Sequence, residues 1–536
     1  MGKQIFFGGE ALDKLVSGAK KLNDAVTITM GAKGQNVLLD INHGTLPHIT
    51  KDGVTVAKSV ELTDSVEDTA CTLLKNIALR TNEEVGDGTT TSVALAYSIL
   101  QNGAKAIKED GVHPIMLKRG LDIQLEQVLN DLKKYTSPIE KIQDSYKVAL
   151  VSANGDENVA KLVTEVYELV GRDGNIAIEA SKNSIESTYE KVDGIKFDRG
   201  YNNPYYINTA KGHVDYNNAA VLICDYQINS ANEIEKILEY SANTGKALLI
   251  ICEDIDIEVE KFLIKNKLNG VIKPVVVKAP EFGDRRITFL EDIAVLTGGK
   301  FVSDLTGIAL SEATPEHLGS AARIILDENE TSIIGGRGDR TNINELLANI
   351  KVKIENATDD YTKSYQEERY AKVNGGVVVI KVGAYSDVEK LELKDRIEDA
   401  VNAVKSSLIG GIIPGGGTPL FRIGDKGFKN SDLSKTSNDI NKGRLILLNA
   451  IKAPFRKILS NAGVDVAEVE ETIKNKSKNM VFDVVSETYK NALTHGIIDP
   501  VLVTKTALIN AVSIAGTLLT TGCTINYEND GSTGVL

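Results

Sequence analysis

A change of rhythm along the chain constrains its fold more than any single motif. To about Tyr135 the apolar residues recur at helical spacing, as in Leu117, Leu121, Leu125, Val128 and Leu132, which fall on one face. From about Gly194 to Gly376 the pattern differs. Short β-rich runs, 220–224, 247–251 and 275–278, alternate there with helical stretches such as 232–243. After a strand-like run at 377–381 the helical rhythm returns, with Ile397, Val401, Val404 and Leu408 on one face of 386–408. Helix, then α/β, then helix predicts a discontinuous helical domain with an α/β domain inserted in it. One hairpin interrupts the first helical part, its arms at 36–40 and 48–50. At 536 residues the chain is too long for one core, so several domains are required.

Composition removes several classes of function. A net charge of -13 with no offsetting basic block argues against nucleic acid as a partner. Cys71, Cys224, Cys252 and Cys523 have no C-x-x-C spacing, and the six histidines form no metal pattern, which points to buried thiols in a reducing compartment. The first twenty residues lack both a secretory core and an Arg-rich leader, and runs such as 247–251 are too short to span a bilayer. The expectation is a cytoplasmic protein with no membrane partner. The tail 526–536 is polar and Gly-containing, and is expected to be disordered.

Chemistry concentrates in the run Gly86-Asp87-Gly88-Thr89-Thr90-Thr91, followed by the helix-forming stretch 92–100. It admits two readings. One is a capped helix start after a glycine turn. The other is a phosphate cradle: glycines for close backbone approach, an acid for a divalent cation, and hydroxyls beside the unpaired N–H groups of a helix N-terminus.

Several segments in order carry a family resemblance: 29–34 (TMGAKG), 50–54 (TKDGV), 86–91 (GDGTTT), 197–201 (FDRGY), 278–286 (KAPEFGDRR), 396–400 (RIEDA), 414–417 (PGGG) and 496–500 (GIIDP). The chain resembles the group I chaperonins, the GroEL type, from about Gln4 to Asn526. The resemblance implies an ATP-dependent folding machine built as a seven-membered ring, one or two rings deep. It implies a multidomain α+β/α chaperonin fold. A mostly helical equatorial ATPase domain would take 1–135 and 411–536, a small hinged intermediate domain 136–193 and 377–410, and an α/β apical domain 194–376. Group II chaperonins share the Gly-Asp-Gly-Thr-Thr core, but 278–286 and 50–54 look like the group I forms.

The resemblance also implies roles. Asp87 would hold Mg2+, with K+ as an optional further cation, while Gly88, Thr89, Thr90 and Thr91 hold ATP phosphates. Thr29, Met30 and Gly31 would line the nucleotide, and Lys51 would add charge near the terminal phosphate. Asp52 and Asp399 would be the catalytic acids that position the attacking water. Gly415 and Gly416 would pack on the nucleotide, with Asp499 at the ribose and Asp483 near the base. Asp399 lies about 200° around the helix from Ile397, off the apolar stripe. Two departures stand out: Ala32 where the family usually has proline, and Asp483 where it usually has asparagine, which exchanges an amide for an acceptor-only carboxylate.

The same comparison puts Tyr201, Tyr205, Tyr206, Leu238 and Ile264 in a groove for non-native clients, together with the charged Glu235, Glu260 and Lys265. Those charges suggest a more polar, more selective groove and leave dependence on a co-chaperonin doubtful. The alternative is a one-position shift that brings in Ile237, Phe262 or Leu263. Arg456 and Asp465 match an inter-ring pair, and the 36–50 hairpin would pair with a neighbour's C-terminal strand. A second functional reading is therefore open: a specialised ATP-gated ring with a narrow client range and no co-chaperonin.

Overall fold

The computed structural model describes residues 3–40, 48–153, 155–172, 174–181, 184–192, 194–209, 212–357, 359–427 and 437–527. The chain forms two compact units: Met1–Glu168 with Glu392–Leu536, and Leu169–Leu391 inserted between them. The segments expected to make the intermediate domain are divided between the two units. Residues 136–168 and 392–410 belong to the first unit, and 169–193 and 377–391 to the second.

The first unit is a helical bundle. In the helix Gly8–Thr27, Leu12, Leu15, Ala19, Leu22 and Val26 form one buried stripe at three- and four-residue spacing. The stripe packs into a core shared with the helices Ser65–Val85, Thr89–Glu109, Pro114–Leu132 and Asn438–Ala450. The last two cross where both are glycine. A β-carbon on Gly120 would lie 2.1 Å from the Ile440 carbonyl oxygen, and one on Gly443 equally close to that of Leu117. The helix Val501–Leu519 is long and apolar enough to cross a membrane by length and composition, contrary to the expectation from short runs. Here it is a core helix. Leu508, Ala511, Val512, Ala515, Leu518 and Leu519 are buried in the bundle, and its buried Asn510 amide donates to Thr81 Oγ1 at 3.1 Å.

Short ribbons decorate the bundle. Lys3–Phe7 pairs antiparallel with Cys523–Tyr527, and Val37–Leu39 with His48–Thr50. The tail is therefore ordered at its start: Asn526 lies in a strand, and its amide donates to the Ser65 carbonyl at 3.0 Å. Residues 528–536 lie outside the described residues. The Asp387–Gly410 helix carries the expected stripe, with Ile397, Val401, Val404 and Leu408 all buried.

The second unit is built on a seven-stranded sheet. Its order is Lys273–Lys278, Ala247–Cys252, Val214–Cys224, Gly319–Leu326, Thr331–Gly336 and Gly194–Phe197, with Phe301–Val302 also paired to Val214–Cys224. The first three strands are parallel, and their stretches 274–277, 247–252 and 219–224 are continuously apolar, as strands covered on both faces must be. The helices Glu235–Thr244, Ile257–Leu268 and Asp284–Thr297 contribute Leu238, Leu263 and Leu290 to the same core. A second sheet joins Asn175–Ala180, Val377–Val382 and Thr188–Val192. The fold is the multidomain combination of a helical unit and an inserted α/β unit that the rhythm of the sequence predicts.

Candidate functional site

The run 86–91 forms the joint between two long helices of the first unit. Gly86 ends Ser65–Val85 with φ 71°, and Gly88 precedes the cradle helix Thr89–Glu109 with φ 88°. Both angles suit glycine, and Asp87 stands between them. A β-carbon on Gly88 would also meet Val503 Cγ1 at 2.7 Å, so the loop lies hard against the start of the core helix. The first turn of the cradle helix has amides with no intrahelical acceptor and the positive end of the helix dipole.

Two neighbouring segments dock on this joint. A β-carbon on Gly53 would lie 2.3 Å from Thr90 Oγ1 and 3.1 Å from Thr89 Oγ1, which fixes Lys51 and Asp52 beside the threonines. Asp52 caps the short helix Gly53–Ser59: its carboxylate accepts from the amides of Val54 at 3.1 Å and Thr55 at 2.8 Å, and from Thr55 Oγ1 at 2.6 Å. On the other side a β-carbon on Gly86 would strike Asn402 Cβ at 2.3 Å, and Ser406 Oγ donates to the Val85 carbonyl at 3.1 Å. The helix Asp387–Gly410 is thereby held against the joint, and Asp399, three residues before Asn402, comes close to Asp87.

A fourth acid arrives on a strand. Ile412–Pro414 pairs with Ile498–Pro500, setting Asp499 opposite Ile413. The carboxylate faces the amides of Gly416 and Gly417.

The electrostatics follow from this crowding. Asp87 and Asp399 are exposed and Asp499 is half-buried, and protein atoms crowd all three carboxyls. Desolvation, and then Asp87 and Asp52, push the Asp399 carboxyl well above the usual carboxylate range. Desolvation and Asp52 also raise Asp87. Asp499 is pushed up to about 7 by burial and by Asp87, against the pull of the Gly416 and Gly417 amides. Burial lowers the Lys51 ammonium. Carboxylates that repel one another beside a helix N-terminus make a site short of cations and rich in anion donors, which suits a cation–phosphate ligand.

The sequence model of the TCP-1/cpn60 chaperonin family matches residues 22–529. The chain belongs to the TCP-1/cpn60 chaperonin family. As a chaperonin it is an ATP-dependent molecular chaperone that promotes the folding of non-native proteins in a ring cavity. Among solved structures it is similar to the chaperonin gp146 from the bacteriophage EL 2 (Pseudomonas aeruginosa) in presence of ATP-BeFx. The crystal form II structure has a TM-score of 0.68 at 23% identity over 98% of this chain and 99% of that one. Crystal form I gives 0.62 at the same identity and coverage. At that identity the likeness speaks for the fold.

Among the described residues no group of three or more His, Cys, Asp or Glu side chains is arranged to hold a metal ion. A protein cage is therefore not offered, but one carboxylate is what Mg2+ needs when phosphates and water complete its shell. Asp87, crowded by like charge and held between two glycines, fits that role.

The other expected nucleotide contacts gather on a second wall, the helix Ala453–Asn461. Gly31 packs on Ile458, whose Cγ2 would be 3.1 Å from a β-carbon there, and Asn461 Nδ2 donates to the carbonyls of Thr27 at 2.9 Å and Met30 at 3.0 Å. Thr29 and Met30 are buried, and the Thr29 hydroxyl is spent on the Val26 carbonyl at 2.8 Å. What this loop can offer a ligand is backbone. A β-carbon on Gly417 would lie 2.9 Å from Phe455 N, and one on Gly415 3.0 Å from the Ile497 carbonyl carbon, so the 415–417 loop is wedged between wall helix and strand. Asp483 stands apart from the acid cluster in the hairpin Met480–Asp483/Thr488–Asn491. It accepts from Lys490 Nζ and Ser486 Oγ, both at 2.7 Å, and from the Val485 amide at 3.0 Å. Burial raises its pKa, but these three donors outweigh it and hold the carboxyl at about 2. Lys490, Asn402 and Gly53 were not singled out from the sequence. Asn402, three residues past Asp399 on the same helix face, was the one that spacing could have revealed.

The expected client groove needs correction. Tyr206 is 0% exposed, and Tyr201 and Leu238 are each 8%; all three belong to the core of the second unit. A client cannot reach side chains already buried against their own sheet. Only Tyr205, at 66%, is freely exposed, while Ile264 is half-buried. Nor is Glu260 a groove charge, since it is buried and accepts from Asn202 Nδ2 at 2.8 Å. Glu235 and Lys265 do face solvent. The shifted register fares no better as a whole, because Ile237 and Leu263 are buried, but Phe262 is exposed together with Ile257 and Leu268 on the same helix. The expected inter-ring residues have other partners: Arg456 bonds Glu470, and Asp465 caps Val466–Lys474.

Proposed function

We propose that this chaperonin is a cytoplasmic ATPase of the group I kind, with 86–91 as its phosphate cradle. The observation that carries the reading is the convergence of Asp52, Asp399 and Asp499 on Asp87 at the start of the cradle helix. Catalysis at such a site is mainly positioning and charge neutralisation. The amides and hydroxyls of Thr89, Thr90 and Thr91 hold phosphate oxygens, and Lys51 offsets the charge of the terminal phosphate. Mg2+ held by Asp87 would neutralise the phosphate oxygens it binds. Asp399, on the helix held against the joint by Asn402 and Ser406, orients the attacking water and accepts its proton. Asp52, locked as a helix cap, presents its remaining lone pairs to the same water. Asp499, oriented by two glycine amides, accepts hydrogen bonds from the ribose.

Assembly into a seven-membered ring is part of the same proposal. The hairpin Val37–Leu39/His48–Thr50 exposes Leu38 and Ile49, and the ribbon Lys3–Phe7/Cys523–Tyr527 exposes Ile5, Phe7, Ile525 and Tyr527. Two-stranded ribbons have open edges, and pairing hairpin to ribbon between neighbours would cover them. The second reading, a ring of narrow client range that works without a co-chaperonin, is favoured by the burial of Tyr201, Tyr206 and Leu238. Electron microscopy with and without ATP, with phosphate release and capture of a denatured protein measured on the same sample, tests the proposal. Sevenfold rings that turn over ATP and release client with nucleotide are expected. Intact particles that neither bind nor hydrolyse ATP would overturn it.

A further inference from the structure

The helix Asp387–Gly410 has two different faces. Ile397, Val401, Val404 and Leu408 form its buried apolar stripe, and Asp399, Asn402 and Ser406 lie on the other side, within about 60° of one another. That second face meets the 86–91 joint. Asn402 is seated on Gly86, its Nδ2 2.5 Å from where a β-carbon would stand, and the Ser406 hydroxyl donates to the Val85 carbonyl at 3.1 Å. Val85 ends its own helix, so its carbonyl is among those with no intrahelical amide to pair with.

Two neighbouring serines on this helix bond differently. Ser407, fully buried, donates back to the Val404 carbonyl of its own helix at 2.8 Å. A helical serine always has such a local acceptor within reach. Ser406, also buried, bonds instead to a carbonyl on another helix. A second hydroxyl reaches the same helix from elsewhere: Tyr167, 1% exposed, donates to the Val401 carbonyl at 2.9 Å. A carbonyl inside a helix keeps one lone pair beyond its helical bond, and Tyr167 takes it. Because a buried phenol without an acceptor is costly, the pairing ties the helix Glu157–Val170 to this one point, two residues from Asp399.

We propose that Ser406 and Tyr167 are positioning residues for ATP hydrolysis, two pins that hold the Asp399 carboxyl in place beside Asp87. The proposal rests on the reading of Asp399 as the acid that orients the attacking water. One hydrogen bond fixes a point on a helix, and two of them about 7 Å apart along it fix its direction. From the helix end at Gly410 to Asp399 is about 16 Å, so a tilt of about 10° carries the carboxyl about 3 Å. A displacement of about 1 Å is enough to cost about a hundredfold in rate at a reacting centre. The pins therefore act on the chemical step, and binding is left to the cradle.

Single-turnover hydrolysis and the ATP dissociation constant, both measured on the assembled full-length chain, test the two pins. Tyr167→Phe and Ser406→Ala each remove one hydroxyl and leave the surrounding packing in place. Each should slow the hydrolytic step about fivefold or more, the worth of one neutral hydrogen bond, with the dissociation constant unchanged. Ser407→Ala deletes a buried hydroxyl from the same helix and should leave the rate at the wild-type level. In an Asp399→Asn background neither Ser406→Ala nor Tyr167→Phe should slow hydrolysis further, because no acid is left to place. A wild-type rate in either pin variant, a matching loss in Ser407→Ala, or the same further loss in the Asp399→Asn background overturns the proposal while leaving the hydrolytic site standing. Hydrolysis at the wild-type rate by Asp399→Asn itself overturns the reading of that acid, and this proposal with it.

Discussion

Replacing Asp499 by asparagine should stabilise the empty protein and weaken its hold on nucleotide. The carboxyl has a pKa of about 7 in the folded chain against 3.8 when unperturbed. Between those values the folded chain holds a proton that the unfolded chain has released, so stability falls as pH rises through the window. Integrating the difference gives a cost of about 2 kcal/mol at pH 5 and about 4 kcal/mol at pH 8. Asparagine has no charge to desolvate beside Asp87 and keeps a carbonyl oxygen for the Gly416 and Gly417 amides. The expected gain is therefore larger at pH 8 than at pH 5 by about 2 kcal/mol. Urea unfolding of the nucleotide-free variant and wild type, followed at both pH values, measures the difference directly. Nucleotide affinity, measured on the same samples at pH 8, should fall. A gain that is the same at the two pH values, or larger at pH 5, would refute the argument that charge crowding is stored in this cleft.

Three further outcomes are expected. Gly88→Ala should destabilise the first unit by about 1–2 kcal/mol from the left-handed backbone alone, and by more from the collision with Val503, read as a lower urea midpoint. In the second unit, Phe262→Ser should weaken capture of a denatured client in an aggregation assay, while Tyr206→Phe should leave capture unchanged, because Phe262 is exposed and Tyr206 is not. Leu38→Asp with Ile49→Asp should release ring-closing contacts and shift the sedimentation velocity profile to smaller species, with ATP binding retained in the dissociated chain.

The parts of this chaperonin that were legible in its sequence are those governed by local periodicity. The stripe Ile397, Val401, Val404, Leu408 marked both the helix and its buried face, and it left Asp399 on the side that meets solvent. The pairing of glycines around Asp87 foretold a joint that only glycine can make. The charge crowding was not legible. It arises because Gly53 and Gly86 let two distant segments dock within van der Waals distance, and no spacing rule gives the distance between Asp52, Asp87 and Asp399. The client face was misread for a similar reason. Tyr201, Tyr206 and Leu238 are apolar enough for a groove or a core, and what decides between them is the sheet beneath, which is a tertiary fact. Lys490 was invisible because its pairing with Asp483 depends on a cross-strand diagonal in a hairpin only four residues wide at its turn.

On the proposed reading, Asp399 completes a hydrolytic site whose binding half is the 86–91 cradle. Single-turnover hydrolysis by Asp399→Asn, with ATP affinity measured on the same preparation, tests it most directly. ATP binding near the wild-type level is expected, with the hydrolytic step slowed by about 10²–10⁴-fold, the range for loss of a positioned base. Hydrolysis at the wild-type rate by a variant that still binds ATP would contradict it.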